Sequence, residues 1–322
     1  MNLKKIIQPI KNELNEFDKY FAKSLKSNVA LIDIITKYIL RQKGKKVRPV
    51  LVLLCSKICG NINNRTYIAA NLVELLHTAT LIHDDVVDEA KTRRGIASIN
   101  AVWKNKAAVL IGDYLLSKGL LISLNNNEYE FLQTTSEAVR RMSEGELLQI
   151  QKARNFDATE ETYFSVISDK TASLIKTCCK LGALSSTDDR NKINAAADFG
   201  ENLGIAFQLR DDLLDYTGRK SILGKSTGND LKEKKFTLPL IFSLKNAPRK
   251  RSSEIMKLIK SDSVKKFESV YHFVNESGGI EYSIKKCESF SEKAAKSLDI
   301  FEDSEAKKSL LDLVSFVSKR EY

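Results

Sequence analysis

Two short acidic clusters share one spacing. The first is Asp84-Asp85-Val86-Val87-Asp88 and the second is Asp211-Asp212-Leu213-Leu214-Asp215. Each ends a strongly apolar run of helical period, so each Asp-Asp-x-x-Asp falls at the C-terminal end of an expected helix. Positions i and i+4 share a helix face, which projects Asp84 with Asp88 and Asp211 with Asp215. Like charges so placed repel, and aspartates at a helix C-terminus oppose its macrodipole. A bound divalent cation removes both penalties. Carboxylates without Cys or His in the set favour Mg²⁺, which keeps waters and bridges to substrate phosphates. One such cluster reads as easily as a solvated acidic helix end. Two copies on apolar helices, with cations close by in the chain, favour the metal reading.

The cations are dispersed around these clusters. Lys45 and Arg48 stand in a loop before the first, and Arg93 and Arg94 follow it. Lys170 lies between the clusters, and Lys225 and Lys235 come after the second. Arginine contacts phosphate oxygens in bidentate fashion, whereas lysine supplies a point charge. The set suits several metals gripping one diphosphate while cationic side chains grip another. His77, seven residues before Asp84, shares that helix face two turns back.

The elements that must position these residues read as helices almost throughout. In 66–82, Ile68, Leu72, Leu75, Leu76, Ala79 and Ile82 recur at three- and four-residue steps, and Asn63–Asn64 offers an N-cap. Segments 107–124, 129–151, 160–184, 191–216, 264–275, 280–298 and 304–318 behave alike. Strand alternation is absent or short. Only four prolines occur, which leaves room for long helices, since an interior proline costs roughly 3 kcal/mol. Loops are expected at 43–49, around Arg93-Arg94-Gly95 and over about 217–230, and none reads as an interdomain linker. The expectation is an all-α fold: residues 1–322 as one large helical bundle of about a dozen helices around a central cavity.

Hydrophobic residues make up 43% of the 322-residue chain and charged residues 29%, with a formal net charge of +11. Such a charge suits nucleic acid, an anionic membrane or a phosphorylated small substrate. Five cysteines, two of them adjacent and several in apolar runs, suit reduced thiols in a cytoplasmic protein. Cys55 and Cys59 stand four apart with no His nearby, which argues against zinc. The charged, amphipathic N-terminus does not read as a signal peptide, and no stretch is expected to span a membrane.

Beyond these readings, the motifs resemble the trans-polyprenyl diphosphate synthases, or polyprenyl synthetases, and especially the medium- and long-chain members of the octaprenyl type. The likeness runs through Gly44-Lys45-Lys46-Val47-Arg48-Pro49, then Glu74 to Asp85, Arg93-Arg94-Gly95 and Gly112-Asp113-Tyr114. It continues through Gly145-Glu146 with Gln149, Lys170-Thr171-Ala172, Gly204 to Gln208, Asp211-Asp212, Gly224-Lys225 and Thr237-Leu238-Pro239. The resemblance implies Mg²⁺, about three ions per active site, on Asp84, Asp88 and Asp211, with Asp85, Asp212 and Asp215 in support. It implies that Lys45, Arg48, His77 and Arg94 hold isopentenyl diphosphate. Arg93, Lys170, Thr171, Gln208, Lys225 and Lys235 would hold the allylic diphosphate, farnesyl or geranyl, with the last five stabilising charge during ionisation. The implied reaction is sequential head-to-tail condensation. A homodimer and a transient membrane association through the product are also implied.

The sequence departs from the family pattern at Lys43-Gly44, at Lys234 before Lys235 and at Arg210. None of these removes a ligand. Small residues at Ala79 and Thr80, one turn before the first cluster, are expected to leave a product tunnel open to a chain of more than about four isoprene units. Bulk deeper down, such as Tyr114 or Phe131, could floor it instead. A terpene cyclase would not need a second diphosphate site, so Lys45, Arg48 and His77 argue for condensation. Regulatory subunits of such synthases lose aspartates, and all six are kept here. No nucleic-acid-binding motif is seen, and the carboxylate clusters would repel a phosphate backbone.

Overall fold

The computed structural model describes residues 3–42, 44–155, 159–217, 229–232, 235–261 and 266–318. In chain order the helices are α1 (Leu3–Ile7), α2 (Lys11–Ser24), α3 (Ala30–Arg41), α4 (Val47–Cys59), α5 (Asn64–Val87), α6 (Ile99–Asn125), α7 (Tyr129–Asn155) and α8 (Glu160–Ile167). A π-helical turn, Ser168–Ala172, joins α8 to α9 (Ser173–Leu184). Then follow α10 (Arg190–Thr217), α11 (Asn229–Lys232), α12 (Leu238–Asn246), α13 (Arg249–Lys260), α14 (Lys266–Glu276), α15 (Gly279–Ser297) and α16 (Glu305–Ser318). The all-α expectation holds. Among the described residues the sheet is confined to Thr92–Arg93 paired antiparallel with Ile96–Ala97, a tight ribbon that carries Arg93 and Arg94 back toward α5.

The helix expected over 66–82 begins at its anticipated cap. Asn63 Oδ1 accepts from the Thr66 amide at 3.2 Å, and Thr66 Oγ1 accepts from the Asn63 amide at 3.2 Å, a reciprocal capping box. From there α5 is buried on several faces, with Ile68, Leu72, Leu75, Leu76, Ala79 and Ile82 all inside. It packs on α4, α6 and α9, while α10 packs on α9 and α15. These central helices belong to one apolar cluster whose members run from Ile6 to Val317. A smaller cluster under α12, α13 and α14 contains Leu240, Ile255, Ile259, Val270 and Phe273. Both acidic motifs therefore end helices whose walls are core, so neither helix end can move without disturbing that packing.

Helix α6 is long and apolar enough to cross a membrane by length and composition. It lies along α5, with Gly112, Leu115 and Gly119 buried, and its helical path breaks at Lys104. Its outer face leaves Val102, Val109, Leu110, Leu121 and Leu124 exposed. Core packing on one side and apolar exposure on the other together give the high hydropathy.

Close approach matters most where α10 meets the π turn. A Cβ on Gly204 would stand 2.6 Å from Ala172 Cα and 2.8 Å from its Cβ, all backbone or short side chain. Gly204→Ala is expected to destabilise the chain by about 1–3 kcal/mol through overpacking. Urea denaturation checks this, and an unchanged midpoint would contradict it.

Candidate active site

The final turn of α5 separates its three aspartates by direction. Asp84 and Asp88 are exposed at the helix end, and the Asp88 amide donates to the Asp84 carbonyl at 2.8 Å. Asp85, rotated about 100° from Asp84 by the helical step, is buried. Its Oδ1 accepts from Arg93 Nε at 2.8 Å and from a second guanidinium nitrogen of the same arginine. Asp85 thus stands apart from Asp84 and Asp88 and anchors Arg93. The Asp84 carboxyl is held above its ordinary range, first by desolvation, with Lys170 opposing and Glu146 and Asp88 adding repulsion. Lys170 and Glu146 therefore lie within electrostatic reach of the first acidic end.

The second acidic end repeats this division. Asp211 is exposed and Asp215 half-buried, with Asp215 Oδ2 accepting from the Asp230 amide at 3.1 Å. Asp212 is buried with both oxygens engaged. Tyr163 Oη donates to Oδ2 at 2.6 Å and Gln208 Nε2 donates to Oδ1 at 2.8 Å. Burial, followed by repulsion from Asp230, pushes the Asp212 carboxyl up to about 7. Gln208 Oε1 in turn accepts from Thr171 Oγ1 at 2.8 Å. The chain Thr171–Gln208–Asp212–Tyr163 ties the π turn to α10 and α8.

A π turn widens the helix by one residue and often marks a functional site. Here it aims Lys170 and Thr171 into a cavity also lined by Gln149, Gln208, Asp212 and Lys235. Lys170 pairs with Glu146 and donates to Gln149 Oε1 at 3.1 Å. Lys170 therefore lines the cavity of the second acidic cluster while acting electrostatically on Asp84 of the first.

A second cavity lies against α5, lined by Glu74, His77, Asp85, Arg93, Arg94 and Lys46 among others. Arg48, on α4, donates to His77 Nε2 at 2.8 Å, while its Nε is buried and meets no partner among the described residues. A buried unpaired guanidinium nitrogen is costly unless an anion meets it. Burial, then the charges of Arg48, Arg94 and Arg93, hold His77 well below the ordinary imidazole range. It is neutral, and as acceptor from Arg48 it carries its proton on Nδ1. A side chain at Gly44 would collide with the Arg94 guanidinium, so this glycine lets Arg94 reach the loop before α4. Lys45 is exposed, and its neighbour Lys46 lines the cavity and pairs with Asp18 at 2.5 Å.

Below the first cluster, Leu72, Leu76, Thr80 and Asp84 form an i+4 ladder on α5, about 18 Å long at 1.5 Å per residue. Leu72 and Leu76 line an apolar cavity closed by Leu116, Gly119, Leu120 and Val139. Thr80 is half-buried on this face and donates to the His77 carbonyl at 2.9 Å, whereas Ala79 is buried in the core. Tyr114 and Phe131 do not line this cavity. Lys225 and Lys234 lie outside the described residues. Sequence reasoning did not single out Tyr163, Asp230 or Lys46, and no spacing in the chain marks them.

The sequence model of the polyprenyl synthetase family matches residues 29–274. The octaprenyl diphosphate synthase of Escherichia coli K12 is 34% identical over 322 residues, covering all of both chains. A decaprenyl diphosphate synthase from Rhodobacter capsulatus superposes with a TM-score of 0.93 at 31% identity, over 99% of this chain and 100% of that one. A polyprenyl synthase from Caulobacter crescentus, complexed with calcium and isoprenyl diphosphate, superposes with a TM-score of 0.90 at 29% identity, over 99% and 98%. The bundle is thus of the isoprenoid synthase type, and its class is that of prenyl-transferring enzymes. The chain belongs to the polyprenyl synthetase family.

His77 generates a prediction. Its folded pKa is depressed below the unfolded value of about 6.5, so stability falls as pH drops through that value and the unfolded chain takes up the proton. By NMR the His77 ring should stay neutral through the pH range where exposed imidazoles titrate. A transition near the ordinary value would contradict the assignment.

Proposed function

We propose that the protein condenses isopentenyl diphosphate head-to-tail with an allylic diphosphate primer, repeatedly, to give a long all-trans polyprenyl diphosphate. The observation that carries this reading is two separate cation-bearing cavities, one lined by Lys170 and Asp212 and the other by Asp85, Arg93 and Arg94, with Lys170 also acting electrostatically on Asp84. One diphosphate can be held beside Lys170, and a second beside Arg48 and Arg94.

Asp84 with Asp88, and Asp211 with Asp215, would hold about three Mg²⁺ ions between them. Among the described residues no three His, Cys, Asp or Glu side chains form a closed cage. Mg²⁺ does not need one, because it takes one or two carboxylates and completes its shell with waters and phosphate oxygens. When bound, Mg²⁺ supplies Lewis-acid stabilisation of the charge growing on the leaving diphosphate.

The side chains do the rest. Lys170, Thr171, Gln208 and Lys235 face the allylic diphosphate and stabilise it as the C–O bond breaks, and the family resemblance adds Lys225, which lies outside the described residues. Arg93, held by Asp85, lines the Arg94 cavity rather than the Lys170 one, and would meet the allylic diphosphate from that side. Arg48, aligned by neutral His77, holds isopentenyl diphosphate with Arg94 and Lys45. The isopentenyl alkene then forms the new C–C bond to the allylic carbon, and the proton lost passes to the departed diphosphate. The growing chain descends the Thr80–Leu76–Leu72 face, where apolar walls exclude water. Farnesyl or geranyl diphosphate would serve as primer.

The whole chain acts as one unit. The exposed apolar face of α6 supports a homodimer. All five cysteines are free thiols, which supports a reducing cytoplasm. A product this apolar implies transient contact with a membrane.

Purified protein, Mg²⁺, labelled isopentenyl diphosphate and farnesyl diphosphate should yield long products on chromatography, and no condensation would refute the reading. Asp84→Ala is expected to lower turnover about 10³-fold or more, and near-normal turnover would remove it as a ligand. Thr80→Tyr should shorten the product by filling the ladder above Leu76, and an unchanged length would place the tunnel elsewhere.

A further inference from the structure

Residues 245–261 concentrate charge outside the sets that line the two candidate diphosphate cavities. Lys245, Arg249, Lys250, Arg251, Lys257 and Lys260 face a single acid, Glu254, so this short stretch carries five of the chain's eleven net positive charges. Helix α13 is held down by Ile255 and Ile259, both buried in the smaller apolar cluster. That anchoring turns Arg249, Lys250, Arg251, Lys257 and Lys260 outward, all exposed. Arg251 reaches Glu254 only at 3.7 Å.

Between α12 and α13 the same surface opens into a groove. Lys245, Arg249, Lys257 and Lys260 stand on its rim, and Leu244 and Met256 form part of an apolar lining. Two acids border it from α8. Glu160 is engaged by Lys286 at 3.2 Å and by Tyr282 Oη at 2.8 Å, and Glu161 is exposed. Phe236 lines this groove and also the cavity that holds Lys170 and Thr171. The basic face therefore adjoins the catalytic mouth. Helix α13 packs mainly on α12 and α14 among the described residues, whereas the apolar face assigned to self-association lies on α6.

We infer that this groove and the outer face of α13 dock the enzyme on an anionic phospholipid bilayer. Cations around an apolar lining match a surface of acidic headgroups over acyl chains, and clustered Lys and Arg beside an amphipathic helix are drawn to such surfaces. A nucleic acid would use the charges but not the apolar floor. The inference rests on the long-chain reading of the product: a diphosphate on a long hydrocarbon leaves a water-soluble enzyme most readily where its chain can enter lipid. Docking α13 on the headgroups sets the cavity mouth at that boundary.

The test uses the full chain without substrate, co-sedimented with vesicles of phosphatidylcholine alone or with added phosphatidylglycerol. Native protein should bind only the anionic vesicles, and high salt should release it. The triple variant R249Q/K250Q/K257Q should partition on the order of 100-fold more weakly, while its vesicle-free condensation rate and its circular dichroism match native. Equal partition of variant and native, or equal binding to neutral vesicles, would overturn the inference. So would duplex DNA that displaces the protein from anionic vesicles at equal charge, which would assign the patch to nucleic acid. Because partition is read without turnover, failure to condense substrates would sink the catalytic reading and leave this result standing.

Discussion

Repulsion among carboxylates fixed at the ends of buried helices is the constraint on which the rest of this structure depends. Asp84, at the exposed helix end, is raised by desolvation from the surrounding protein and by Glu146 and Asp88. Asp212 is pushed up to about 7 by burial and Asp230. A solvated acidic loop would relax by spreading apart. Here α5 and α10 are walled by core on several sides, so the strain stays where cations and a diphosphate can relieve it. The interior packing is thereby coupled to ligand binding, because whatever neutralises these ends also stabilises the bundle.

Both motifs divide their labour in the same way. The first and fifth residues of each share one face, and the second turns inward to organise other groups. Asp85 holds Arg93, and Asp212 accepts from Tyr163 and Gln208. The repeated spacing is therefore more than a doubled ligand set. It pairs two outward carboxylates with one inward anchor, and the anchor sets the angle of the neighbouring cation or amide. The π turn serves a related purpose by bringing Lys170 and Thr171 to the same cavity.

Much of this was legible in the chain. The 3.6-residue period of α5, its Asn63 cap and the terminal positions of both acidic motifs follow from local rules, since sequence neighbours decide them. The separate directions of Asp84 and Asp85 also follow from helical geometry, yet the partner that fixes Asp85 does not. Arg93 reaches it through a two-strand ribbon whose turn geometry the sequence marked only as a loop. Tyr163, 49 positions from Asp212, carries no spacing signal because a tertiary contact creates its role. The same holds for Thr80 against Ala79. Both are small residues in the sequence, and only tertiary packing decides that Ala79 is buried in the core while Thr80 stays half-buried.

The central claim is that both acidic ends act on one diphosphate, and a double-mutant cycle addresses it most directly. Titration calorimetry of inorganic pyrophosphate with Mg²⁺ would compare native protein, Asp84→Asn, Asp211→Asn and the double variant. Shared metals predict strong non-additivity, with the double variant losing scarcely more affinity than either single one. Losses that simply add would mean that the two ends bind independently, and the account of a shared site would be wrong.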